Sequence, residues 1–156
     1  MRGTRLPLDK LEELHGQVLK GVASNWRRVF CLSALAQLYA ESGHDHAARQ
    51  LLASITAKDR QAFYAPEVYR LEGELLLRSQ GAAHEAEQSF WTALELARRR
   101  GETSFELRAA MSLARARQRH GKPGEARDIL AEIYGRFTEG FDTPDLRDAR
   151  MLLDAL

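Results

Sequence analysis

The chain has 156 residues, 44% of them hydrophobic and 29% charged, and its formal net charge is only +1. Such fractions belong to a folded domain rather than a disordered segment, and a nearly neutral total argues against a chain built chiefly to coat nucleic acid. The opening stretch MRGTRLPLDKLEELHG lacks an apolar run of signal-peptide length, and nowhere do about 18 apolar residues follow one another, so no membrane span and a cytoplasmic location are expected.

Proline is rare, β-branched residues are sparse and alternation never persists, whereas Ala, Leu, Arg and Glu dominate; the chain therefore reads as all-α. Residues 8–22 predict a first helix, opened by Asp9, with Leu11, Leu14, Val18 and Leu19 on one side. Next comes VFCLSALAQLYAES, in which the single cysteine, Cys31, is expected to serve as a small buried apolar residue. Gly43 ends that helix, and GHDHAARQLL begins another, where Asp45 is expected to cap the helix start. EVYRLEGELLLRSQ and LRAAMSLARARQRH repeat the first half of this pattern, closed by Gly81 and Gly121. Finally, Thr143 is placed to cap a helix that starts at Pro144 and carries Leu146, Ala149, Leu153 and Leu156 on one face.

The second helices are copies of one another. Ala126, Leu130, Ile133, Tyr134 and Phe137 match Ala86, Phe90, Ala93, Leu94 and Ala97 forty residues earlier, and Ala48, Leu52 and Ile55 form a shorter third copy. Each leading alanine stands five residues after its glycine, so the unit is helix, glycine turn, helix, with a period of 38 to 40.

This pattern resembles the tetratricopeptide repeat. The resemblance rests on Ala36, Gly43, Ala48, Leu52 and Ile55 in a first unit, Gly73, Gly81, Ala86, Phe90 and Ala93 in a second, and Ala114, Gly121, Ala126, Leu130 and Ile133 in a third. It implies one domain over 1–156, a right-handed superhelical array of antiparallel helix pairs (an α-solenoid). Its parts would be an unpaired N-terminal helix (8–22), repeats at 25–58, 65–100 and 103–137, and a capping helix at 143–156. The period departs from the usual ~34 residues, the closing proline is absent, and Ile stands twice where the pattern has a second alanine. Residues 65–156, above all the ending FTEGFDTPDL, also resemble the C-terminal repeat region of large bacterial signalling proteins in which a cyclase, kinase or transcription-factor module is joined to a predicted ATPase. No Walker-type G-x-x-x-x-G-K-[ST] occurs, and HGKPGEA lacks both the upstream glycine and the hydroxyl after its lysine, so the resemblance implies a regulatory or scaffold region rather than an activity.

No catalytic grouping is legible, and no enzyme, cofactor or metal is expected. His44 and His46 are two residues apart, a spacing that makes them diverge on a helix, so a metal site shared with Asp45 and His84 is not favoured over solvated turn residues. His15 and His120 flank glycines, as helix-end residues do. The acidic pairs Glu12 with Glu13 and Glu85 with Glu87 read as solvated charge.

Charge is unevenly spread. Residues 96–127 hold nine Arg or Lys against three Glu, a net of +6, which leaves −5 for the remainder. In tetratricopeptide arrays the groove is lined by first-helix positions flanking the small residue, and the resemblance carries this onto Phe30, Ser33 and Gln37, then Arg70, Glu74 and Arg78, then Arg108, Met111, Arg115, Gln118 and Arg119. The expected ligand is a peptide or protein with an acidic stretch or a C-terminal carboxylate, met by guanidinium forks. Two rival readings are nucleic-acid binding through 96–127, which lacks interleaved aromatics, and dimerisation through the open side of the N-terminal helix.

Overall fold

A computed structural model of the chain describes residues 6–21, 25–61, 63–79 and 81–156. They form eight α-helices: α1 (Leu8–Gly21), α2 (Asn25–Glu41), α3 (Asp45–Ala53), α4 (Ala65–Leu77), α5 (Ala83–Arg100), α6 (Thr103–Arg119), α7 (Pro123–Tyr134) and α8 (Pro144–Ala155). A single 3-10 turn, Asp59–Gln61, precedes α4, and there is no strand among the described residues.

The turns follow from backbone chemistry. Gly43, Gly81 and Gly121 all have positive φ, 89°, 80° and 74°, a region that costs residues with a Cβ about 1 kcal/mol or more. At Gly43 the glycine N–H donates to the Ala40 carbonyl and His44 N–H to the Tyr39 carbonyl; Gly121 and Lys122 repeat this with Gln118 and Arg117. These paired bonds close the last turn of α2 and of α6 and send the chain back along its own helix.

Each turn delivers its alanine to the interior. Ala48, Ala86 and Ala126 are fully buried, and so are the larger residues one turn on, Leu52, Phe90 and Leu130. The facing helix supplies a small residue in two ways. Ala36 and Ala114 are buried as methyl groups, whereas Gly73 presents bare backbone to Phe90: a Cβ there would lie 2.5 Å from Phe90 Cε1.

Helices α2, α4, α6 and α8 each contact the next of that set and so form one layer. Helices α3, α5 and α7 pack on the even-numbered helix before and after them, and their backbones do not approach one another closely. The apolar interior is divided in two, with α1 to α4 enclosing one cluster and α5 to α8 the other. Helix α4 serves both: Val68, Leu71 and Leu75 face the first, while Tyr69, Leu76 and Leu77 pack against the second.

Several local expectations need correction. Helix α1 starts at Leu8, one residue before Asp9, and runs through Gly16 to Gly21, so His15 lies mid-helix instead of at an end; Val22 is outside the described residues, as is the Leu19 side chain. Leu11, Leu14 and Val18 pack inward on the first cluster. The outer side of α1 carries Lys10, Glu13 and Gln17, tied by a Lys10–Glu13 ion pair of 2.6 Å and a Gln17–Glu13 hydrogen bond. Cys31 is only half-buried. Asp45 does not cap α3, because its carboxylate turns to Arg78 at 2.9 Å. Thr143 holds the N-cap position of α8, yet its hydroxyl donates to the Gly140 carbonyl, and Pro144 supplies the preset φ of the first turn.

Candidate functional site on the α2, α4 and α6 face

One side of the even-numbered layer carries mostly polar residues, with a phenylalanine heading the α2 and α6 rows, at three- and four-residue steps, so each helix contributes a stripe. On α2 it is Phe30, Ser33, Gln37 and Glu41; on α4, Glu67, Arg70, Glu74 and Arg78; on α6, Phe105, Arg108, Ser112, Arg115 and Arg119. Inter-helix bonds show that the α4 and α6 stripes face each other.

Their centre is Glu67, only 3% exposed. A buried carboxylate is tolerable only when its charge and lone pairs are matched. Arg70 supplies a fork, Nη2 to Oε1 at 2.7 Å and Nε to Oε2 at 3.0 Å, and Arg108 reaches across from α6 to Oε1 at 2.9 Å. The other side of Arg70 meets Glu74 Oε1 at 3.4 Å and Ser112 Oγ at 3.3 Å, and Ser112 donates to Glu74 at 2.7 Å. Burial alone would lower the Arg70 pKa, but the Glu67 hydrogen bonds and charge, with Glu74 behind them, outweigh it and raise the value. Two acids and two guanidinium groups thus neutralise one another inside the face. Arg70 and Arg108 are spent on the protein's own carboxylates.

A second buried carboxylate, Glu106, is 2% exposed and is held from the other side of α6 by Arg98 Nε at 2.8 Å and Arg136 Nη2 at 2.6 Å. Arg98 also reaches Glu132, so α5, α6 and the segment after α7 are pinned together. Arg117 pairs with Glu125 at 2.8 Å and Glu87 at 3.6 Å, and Arg127 caps the Leu153 carbonyl at 2.5 Å. Much of the positive charge concentrated in 96–127 is therefore answered by acids and carbonyls, several of them outside that segment. Among the described residues of that segment, the side chains of Arg99, Arg115, Arg119 and Lys122 keep no hydrogen bond or ion pair, and of these Arg115, half-buried, and Arg119, exposed, belong to the α6 stripe.

The remaining expected groove residues have separate fates. Arg78 donates to the Ala40 carbonyl at 2.6 Å as well as to Asp45, so it anchors the α2 to α3 turn. Met111 does not line the face; it is buried in the second cluster. Gln118 turns toward α8 and donates to the Ala155 carbonyl at 3.2 Å. Ser33 is buried with no partner for its hydroxyl among the described residues, and Gln37 donates to Glu41 at 2.8 Å. Between α2 and α4 these side chains border a cleft of about 180 Å³, edged by Gln37, Glu41, Arg70, Glu74 and Arg78. That is below the ~300 Å³ of a small-molecule pocket, and of a size to seat a single side chain.

Four aromatic rings at the start of the α4 and α6 stripes were not legible as a group. Phe30 meets Tyr64 edge-on at 4.9 Å, Tyr64 meets Phe105 at 5.1 Å, and Phe105 meets Phe63 at 5.2 Å. Phe63 is 60% exposed and Phe30 43%. Burial pushes the Tyr64 hydroxyl pKa up, and the charge of Glu67 adds to this while Arg108 opposes it, which places the ladder beside the charge network. A signal for Glu67 did exist in the sequence, since it stands four residues before Leu71, where the polar stripe of its helix borders the apolar side. The ladder had none, because its rings come from three elements.

The histidines lie apart from this face. His44 sits edge-on to Tyr39 at 6.4 Å, His84 pairs with Gln88, His46 is exposed, and the His120 ring lies 3.4 Å from Glu87. Among the described residues no three His, Cys, Asp or Glu side chains gather at metal-binding distance. Nor is any helix long and apolar enough to cross a membrane. In comparisons with known proteins, no family model, curated protein or solved structure matches the chain.

Proposed function

We propose that the protein is a non-catalytic interaction module of the tetratricopeptide type, an α-solenoid of three helix pairs between α1 and α8, whose α2, α4 and α6 face receives a peptide or protein partner. Close backbone approach among even-numbered helices, with none among α3, α5 and α7, favours a layer that curves toward the even side, as such arrays do. The observation that carries the reading is the unequal treatment of arginines on one stripe. Arg108 is locked to Glu67 while Arg115 and Arg119, seven and eleven residues on, are left open to a ligand. An unpartnered guanidinium pair beside a preorganised polar network is suited to acidic side chains or a C-terminal carboxylate. The resemblance of 65–156 to the repeat regions of bacterial signalling proteins sets the context as a scaffold or regulatory element.

The test is affinity capture with the full chain, followed by mass spectrometry, comparing the natural protein with Arg115→Glu plus Arg119→Glu. Specific capture that falls at least about tenfold in the double variant supports an arginine-dependent groove. Capture unchanged in the double variant excludes it. Nucleic-acid binding through 96–127 is the weaker reading, since Arg98, Arg108, Arg117 and Arg127 are already engaged.

A further inference from the structure

Among the described residues, the four-ring ladder joins two exposed rings, Phe30 and Phe63, through the half-buried Tyr64 and Phe105 on the proposed binding face. Single exposed hydrophobic residues need no explanation, but a patch of aromatic rings rimmed by charge marks a surface that another molecule covers. Phe30 belongs to α2, Phe63 and Tyr64 to the connection before α4, and Phe105 to α6, so packing of three elements brings the rings together. Phe105 also begins the α6 stripe that ends in the unpartnered Arg115 and Arg119.

From this placement we infer that the face reads a two-part peptide motif: an aromatic or branched aliphatic side chain seated on the ladder, and acidic side chains held by Arg115 and Arg119. This deepens the proposed function and rests on it. The spacing follows from helix geometry. Ten and fourteen residues separate Phe105 from Arg115 and Arg119, which at ~1.5 Å per residue is about 15 to 21 Å. An extended peptide covers that distance in about five or six residues. Between the two points lies the neutral network of Glu67, Arg70, Glu74 and Arg108, which offers hydrogen bonds without net charge. The charge network favours a peptide over single-stranded nucleic acid. A nucleic-acid strand needs cations along its whole path, whereas the stretch between the ladder and Arg115 has its arginines, Arg70 and Arg108, already matched by Glu67 and Glu74.

The experiment measures fluorescence anisotropy of labelled synthetic peptides on the full chain. The probe carries Phe, a spacer of five Gly and Ser residues, and two Asp; controls replace Phe by Gly, replace both Asp by Asn, or use labelled oligothymidine. The variants are Phe30→Ser with Phe63→Ser, both at exposed positions, and Arg115→Gln with Arg119→Gln, each checked by circular dichroism for an unchanged helical fold. The probe should bind about tenfold tighter than either single-feature control, and each double variant should erase the advantage of the feature it removes. If acidic peptides bind without regard to Phe and the ladder variant changes nothing, the ladder inference is overturned while the arginine groove stands. Absence of probe binding, alongside partner capture that still depends on Arg115 and Arg119, overturns the motif alone. Failure of both binding and arginine-dependent capture removes the groove reading too, and tight, steeply salt-dependent oligothymidine binding would replace the peptide with nucleic acid.

Discussion

Glu67→Gln is the most exacting test of the network at the centre of the face. The substitution keeps size and shape but removes the charge and turns one acceptor oxygen into a donor, which must then point at an arginine N–H. Three contacts are affected, two from Arg70 at 2.7 and 3.0 Å and one from Arg108 at 2.9 Å. Breaking a buried pair costs about 3 to 5 kcal/mol, because an uncompensated charge stays behind. Here Arg70 keeps Glu74 at 3.4 Å and the Arg108 side chain, 28% exposed, can rehydrate, so the loss is expected at the lower end, about 3 kcal/mol. For a chain of this length each kcal/mol lowers Tm by about 2 to 4 °C, which gives a fall of roughly 6 to 12 °C. Thermal and urea unfolding followed by circular dichroism measure it, with an unchanged denaturant slope as the check on two-state behaviour. A loss below about 1 kcal/mol would refute the reasoning, since that is the range of solvated surface pairs. Replacing Glu67 and Arg70 together by Leu and Met should cost less than the single change, because the two most deeply buried charges leave together and the partners left behind, Arg108 and Glu74, are 28% and 37% exposed and can rehydrate.

Gly73→Ala places a methyl carbon 2.5 to 2.9 Å from three atoms of the fully buried Phe90 ring. Its overpacking cost of about 1 to 3 kcal/mol exceeds the gain in helix propensity of about 1 kcal/mol, so a net fall in unfolding free energy is expected, partly relieved by Phe90→Leu in the same chain. Equal stability of Gly73→Ala and the natural protein would show that α4 and α5 are less tightly apposed. Glu102→Gln tests a buried acid at the start of α6. The Glu102 side chain is 9% exposed, Oε2 has no hydrogen bond, and burial raises its pKa against a weaker opposing pull from Arg100. Because the folded state then holds the proton more tightly than the unfolded chain, the favourable contribution is present at low pH and is lost as pH rises through the folded value. Glu102→Gln should therefore be the more stable protein at pH 7, with the difference vanishing below about pH 4 in urea titrations across pH. A constant difference at every pH would point to hydrogen bonding instead.

Much of the helical framework was legible because it depends on neighbours close in the chain. A glycine that must take positive φ, an alanine five residues later and a large apolar residue one turn beyond that are local requirements. The three copies therefore announce the buried face of α3, α5 and α7 directly. Expectations failed where a side chain had a choice of partners. Asp45 was free to cap α3 from its own position, but α4 brings Arg78 within 2.9 Å, and a charged donor outcompetes a backbone N–H. Met111 and Arg115 lie near each other on α6, and periodicity alone does not say how wide the covered strip is. Packing against the neighbouring helices buries the first and leaves the second half-open.

The same division holds for the candidate site. Sequence by itself determined the helical class, the glycine turns, the small residues that let helices approach and the stripes on which arginines recur, because hydrophobic period and backbone conformation act over one or two turns. Only the tertiary structure decided which arginines are available. A guanidinium on a long flexible stem reaches whichever carboxylate the fold delivers, and Glu67 meets Arg108 across 41 positions of chain. The aromatic ladder is likewise a product of three elements meeting, since ring contacts at about 5 Å are set by helix packing and not by spacing along the chain.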